Sequence, residues 1–65
     1  MLYRHYKGGL YRVVFEGFYE PTMEEVTIYI SVETGKVWVR PTGIFHEILT
    51  LDNGKYVPRF IELDE

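Results

Sequence analysis

Val37-Trp38-Val39-Arg40-Pro41 places the only tryptophan of a 65-residue chain between two β-branched residues, adds an arginine and stops at a proline. Such a run reads as a short strand, because β-branched and aromatic side chains suit a pleated surface and proline cannot continue the ladder. Alternation sets Val37 and Val39 on one face and Trp38 and Arg40 on the other. The valine face is expected to be core. The opposite face then carries an amphipathic ring beside a guanidinium, a pair able to stack on a planar ligand or to fork onto a carboxylate or phosphate. The plainer alternative is that Trp38 is packing mass and Arg40 covers it with its methylenes.

Upstream, Val26 to Val32 alternates, with Val26, Ile28 and Ile30 expected inward and Thr27, Tyr29 and Ser31 outward. Glu33-Thr34-Gly35-Lys36 has the length and chemistry of a tight hairpin turn, so this strand should pair with Val37 to Arg40 and bring Tyr29 to the face of Trp38 and Arg40. Leu10 to Phe18 is an earlier strand, Tyr11, Val13 and Phe15 sharing one face, with Gly17 marking a bulge or bend. Tyr3 to Lys7 reads as an opening segment, and Gly8-Gly9 as the bend after it. Tyr19 to Glu25, with Pro21 and three glutamates, suits an exposed connection.

Downstream, Ile44-Phe45-His46 has room for one 3₁₀ turn. Glu47 to Leu51 resumes alternation. Asp52-Asn53-Gly54-Lys55 holds the Asn-Gly pair that a type I′ hairpin turn favours, and Tyr56 to Ile61 returns from it, confined by Pro58 to an edge or bulge. Leu63 and the acidic residues after it are expected to fray. The expectation is all-β: one domain over residues 1–65, a small five-stranded antiparallel SH3-like barrel with one short 3₁₀ turn.

Size and composition narrow the function. A chain of this length buries only about 60% of the surface its unfolded form exposes, and the absence of cysteine removes disulfides, thiolate metal sites and cysteine nucleophiles together. Packing must supply the stability, through an aromatic content of 17% or through enlargement of the core in a homodimer. A net charge of −3 argues against a strong nonspecific nucleic-acid binder. Arg4, Lys7, Arg12, Arg40 and Arg59 nevertheless lie outside the acidic clusters, which leaves room for a local basic face. Met1 to Lys7 lacks the apolar run of a secretion signal, and nothing downstream has membrane-spanning length, so the cytoplasm is the expected compartment.

Nothing in the chain assembles a catalytic signature. His5 and His46 are joined by no motif, the serine and threonines have no base at local spacing, and Glu24-Glu25 suits a solvated loop. No metal-ligand spacing or phosphate-cradling glycine pattern occurs, and no cofactor is implied. Binding without catalysis is the expected class, with Tyr6, Lys7, Tyr29, Trp38, Arg40 and Arg59 as its candidate residues. A protein partner is favoured over a nucleotide or single-stranded nucleic acid because the net charge is negative. A homodimer whose aromatic face is purely structural is the third alternative.

Tyr3-Arg4-His5-Tyr6-Lys7-Gly8-Gly9-Leu10-Tyr11-Arg12-Val13, Trp38-Val39-Arg40-Pro41, Phe45 and Pro58-Arg59-Phe60 together resemble the small bacterial family known as domain of unknown function 1653. The resemblance spans nearly the whole chain. It implies a compact β-barrel-like domain, often a stand-alone protein, and no function. Members of that family commonly read Arg-His-Ser/Thr-Glu-Thr after the first strand, where this chain has Phe18, Tyr19, Glu20, Pro21 and Thr22. A site built on that histidine and glutamate lacks both here, whereas one built from Tyr6, Lys7, Trp38, Arg40 and Arg59 keeps its residues.

Overall fold

The chain runs β1 (Leu2–His5), β2 (Leu10–Tyr19), β3 (Glu24–Ser31), β4 (Val37–Pro41), α1 (Thr42–Phe45), β5 (Ile48–Thr50), β6 (Tyr56–Pro58) and β7 (Phe60–Leu63) in a computed structural model that describes residues 1–64. Five strands form one antiparallel sheet in the order β4-β3-β2-β1-β7, and β5 and β6 form a separate ribbon. The all-β expectation holds; the closed five-stranded barrel does not. Seven strands are present among the described residues, and β4 and β7 end the sheet as unjoined edges.

Two local events account for the extra strands. Tyr3 to Lys7 is more than an opening segment: its first residues form β1, paired on one side with β2 and on the other with β7. Tyr56 to Ile61 is not one strand, because the chain bends at Arg59: its N–H still serves the β5 side, donating to the Glu47 carbonyl at 2.8 Å, while its carbonyl serves the β1 side, accepting from the Tyr6 N–H at 2.9 Å. Leu63 is not frayed but paired with Leu2, while Glu65 lies outside the described residues. The expected 3₁₀ turn is one turn of α-helix, closed by the His46 N–H on the Thr42 carbonyl at 3.1 Å. The Asn-Gly turn also differs from expectation. Gly54 has φ +83° but Asn53 is not in the left-handed region, so the turn is not type I′; the bond from the Leu51 N–H to the Lys55 carbonyl closes a wider loop.

The faces of the sheet are the larger correction. Tyr29 pairs with both Val13 and Trp38, which confirms that Tyr29, Trp38 and Arg40 share one side. That side is the inside. Thr27, Tyr29 and Ser31 are buried, while on the other face Val37 and Val39 stand 61% and 60% exposed, although Val26, opposite Gly17 on that face, is buried as expected. The reason is what covers each side: Phe45 from α1 and Phe60 from β7 pack with Tyr3 and Tyr29 on the aromatic face, and Tyr11 and Val13 lean on that cluster. Rings bury more area each than valines do, so the covering elements collapse onto the rings.

A bulge at Val14 splits β2 into two registers. Val13 faces Tyr29, but the next pair is Phe15 with Ile28, so Val14 is an extra residue and Phe15 turns to the outer face. Tyr11 and Val13 share a face as expected, and it is the inner one. Phe15 does not, and it is 70% exposed. The core itself is a stack and a set of edges: Phe45 and Phe60 lie 4.1 Å apart and nearly parallel, while Tyr3 and Tyr29 meet Phe45 edge-on, each with centroids at 5.2 Å.

Candidate binding cup

Alternation and register deliver the candidate residues to the concave side. Arg40 is two residues from Trp38 on β4 and opposite Thr27, so both β4 side chains lean over the inner face near its edge. On the far side His5 is paired with Phe60 across β1 and β7. Between them lies a cup of about 180 Å³ lined by His5, Tyr11, Tyr29, Trp38, Arg40 and Phe60. A cavity of that size suits one ring or one side chain rather than an extended ligand.

Arg40 is the fixed charge of the cup. Its Nε donates to the Tyr29 hydroxyl at 3.1 Å, and its guanidinium carbon lies 5.8 Å from the Phe60 centroid. This leaves the two terminal amino groups of the fork for an acceptor, and among the described residues no carboxylate is paired with them. Trp38, 46% exposed, forms the rim rather than core or open surface, and Lys36 Nζ lies 6.0 Å from its ring.

His5 carries the electrostatic signature. Burial lowers its pKa below the usual 6.5, and the charges of Arg40, Arg59 and Lys7 lower it further. Its Nδ1 accepts the Lys7 N–H at 3.2 Å, which suits the neutral ring with its proton on Nε2. Among the described residues no acid offsets those three cations at His5. A second cavity on the same face is lined by Met1, Tyr3, Val13, Glu16, Thr27, Phe45 and His46, and the Tyr3 pKa there is raised by burial and then by Glu62 and Glu16.

Of the six residues singled out in the sequence, Tyr29, Trp38 and Arg40 meet in the cup. Tyr6 lies behind it, its ring 4.7 Å from His5, with Lys7 Nζ 5.7 Å from the Tyr6 centroid. Arg59 is already engaged: Nε donates to the Ile44 carbonyl at 3.1 Å and Nη2 pairs with Glu47 at 2.7 Å, clamping α1 to the segment before β5. His5, Tyr11 and Phe60 line the cup without having been singled out. For His5 and Tyr11 the signal was readable, because Tyr3 and His5 alternate onto one face once the opening segment is taken as a strand. Phe60 required the β1–β7 pairing, which no local pattern announces.

The profile of the family described as protein of unknown function (DUF1653) matches residues 1–62. This chain belongs to the DUF1653 family. The crystal structure of a protein belonging to DUF1653 from Bordetella bronchiseptica has the same fold, with a TM-score of 0.83 and 28% identity over 95% of this chain and 82% of that one. No curated protein matches the chain. In this DUF1653 domain the stretch lacking the expected histidine and glutamate sits at the far end of the β2–β3 ribbon, the histidine's place at Tyr19 paired with Glu24 and the glutamate's at Pro21 in the turn, whereas the cup is built at the level of the Tyr29–Trp38 pair. The departure therefore leaves the cup residues untouched. Among the described residues no helix is long and apolar enough to cross a membrane.

Proposed function

We propose that this DUF1653 domain is a non-catalytic binding module that takes an acidic side chain of a protein partner into the cup beneath Trp38. One observation carries the reading: a guanidinium held on two sides by Tyr29 and Phe60, with its fork open and, among the described residues, no carboxylate paired to it. Aromatic walls exclude water from one side of a bound carboxylate, which strengthens its hydrogen bonds to Arg40. Recognition of a peptide across an aromatic face, as small SH3-like barrels achieve it, needs the curved face and not the closed barrel.

The second reading is a nucleotide, since the cup also has the volume for one base and a cation for its phosphate. Titrating ¹⁵N-labelled protein at low salt with N-acetyl-glutamate amide, AMP and hexathymidylate separates the two. Acid-driven shifts at the Trp38 indole and at His5, weakened about tenfold or more in Arg40→Ala, support the protein reading. Binding of AMP or hexathymidylate in preference to the acid, steeply weakened by salt, moves the assignment to nucleotides. Silence toward all three probes removes the cup as a recognition site.

A further inference from the structure

The backbone of β4 is as informative as its side chains. The Ser31 N–H donates to the Lys36 carbonyl at 2.9 Å while Ile30 is paired with Val37, so the Lys36 carbonyl faces β3 and sets the phase of the ladder that follows. In an antiparallel ladder hydrogen-bonded pairs alternate with open ones, which turns the backbone groups of Trp38 and Arg40 toward β3 and those of Val37 and Val39 away from the sheet. β4 is an edge, so two N–H donors and two carbonyl acceptors in a row face outward on it. Edges of this kind are usually blunted by charge, proline or a bulge. Here proline comes only at the last position, and the exposed run is Val-Trp-Val.

We propose that β4 accepts an extended segment of a partner protein as a sixth strand, with the pattern apolar–acidic–apolar. The inference rests on the cup reading and says how the acidic residue arrives there. An antiparallel segment hydrogen-bonded to Val37 and Val39 sets two of its side chains beside those valines on the outer face, where Phe15 and Ile28 continue the apolar surface. The residue between them lies opposite Trp38 on the concave side, diagonal to Arg40 and beside Lys36. A carboxylate at that place meets two cations. Lysine there would be repelled by both.

The chain's own edges fit the place poorly, which is why the occupant is a different protein. Tyr6 N–H donates to the Arg59 carbonyl at 2.9 Å, so the alternation along β7 turns the backbone of Phe60 and Glu62 outward. Pairing those residues with Val37 and Val39 would drop Glu62 onto the valine face, away from Arg40. Two β4 strands centred on Trp38 would set Arg40 of one copy opposite Lys36 of the other.

The test uses the blocked heptapeptide Ac-Thr-Thr-Val-Glu-Val-Thr-Thr-NH₂ and its central Gln and Lys counterparts, added to ¹⁵N-labelled protein. The expected result is at least tenfold tighter binding of the Glu peptide than of the Gln peptide, none of the Lys peptide, and at least tenfold slower amide exchange at Val37 and Val39 in the complex. A chemically synthesised chain N-methylated at Val39 keeps the β3 ladder and the side chain but loses one outward donor; it should bind at least tenfold more weakly while its circular dichroism stays native. Cup shifts without slowed exchange, or full binding by the N-methylated chain, overturn the sixth strand and leave the cup reading intact. No response to any heptapeptide overturns the inference as well, and the small-molecule titration above then decides the cup separately. Sedimentation showing a dimer that N-methylation dissolves would hand the edge to a second copy and also overturn the proposal.

Discussion

At the scale of single residues, His5 reports the balance between the core and the cup. It meets Phe60 edge-on at 4.9 Å and lies against Tyr6, so its ring is part of the packing, and burial first, then three cations, lower its pKa. Its folded pKa is lowered, so the folded chain binds fewer protons than the unfolded chain below the unfolded value of about 6.5. The stability it contributes is full above that value and is lost as pH falls from there toward the folded pKa. Urea midpoints measured at about pH 7.5 and 5.5 should show a drop in the native chain that is smaller in His5→Gln. An acidic ligand beside Arg40 should act in the opposite direction and raise the pKa of His5, visible as a displaced imidazole titration in the NMR spectrum. Both trends depend on a placement that the sequence makes readable only once Tyr3 and His5 are seen to alternate.

At the scale of elements, the tie between β3 and α1 explains why a threonine belongs in the core. Thr27 is 1% exposed, and its hydroxyl meets that of Thr42 at 2.9 Å. α1 is a single turn with no side-chain cap, and Phe45 at its end fills the centre of the ring cluster, so this bond fixes the point from which Phe45 is launched. Thr27→Val preserves shape but leaves the Thr42 hydroxyl without its partner, at a cost of about 1–2 kcal/mol by chemical denaturation. A neutral result would mean that the Thr42 hydroxyl finds water. Strand identity in β2, β3 and β4 was legible from alternation; side was not. Alternation says which residues share a face, and it is silent on which face another element will cover. The Val14 bulge was hidden for a related reason: Val13-Val14-Phe15 reads as an unbroken strand pattern, and only the partner strand shows that Val14 has no counterpart.

At the scale of the whole molecule, the radius of gyration is 12.6 Å, against about 11 Å for a compact chain of this length. The excess comes from an open sheet with a long β2–β3 ribbon, and the molecule's longest extent is 38 Å. Inside and outside are correspondingly unequal in their tolerance of change. Phe45→Ala removes the ring that touches Tyr3, Tyr29, His46 and Phe60 and should cost about 3–5 kcal/mol. That is comparable to the whole stability of a domain this small, so thermal scans should show little or no cooperative transition. Phe15→Ser, which also removes a ring but on the outer face, should lower stability by less than about 1 kcal/mol. A large loss in Phe15→Ser would mean that the valine face is packed in solution against something else.

The sequence by itself determined that the chain is all-β, that Val37 to Arg40 is a strand joined by a tight turn to Val26 to Ser31, and that Tyr29, Trp38 and Arg40 fall on one side. These follow from a period of two and from turn chemistry, both local properties of the backbone. Only the tertiary structure decided that this side is the inside, that the sheet stays open between β4 and β7, and that His5, Tyr11 and Phe60 complete the cup. Those outcomes depend on where Phe45 and Phe60 come to rest, and burial is a property of pairs of distant segments that no single segment encodes.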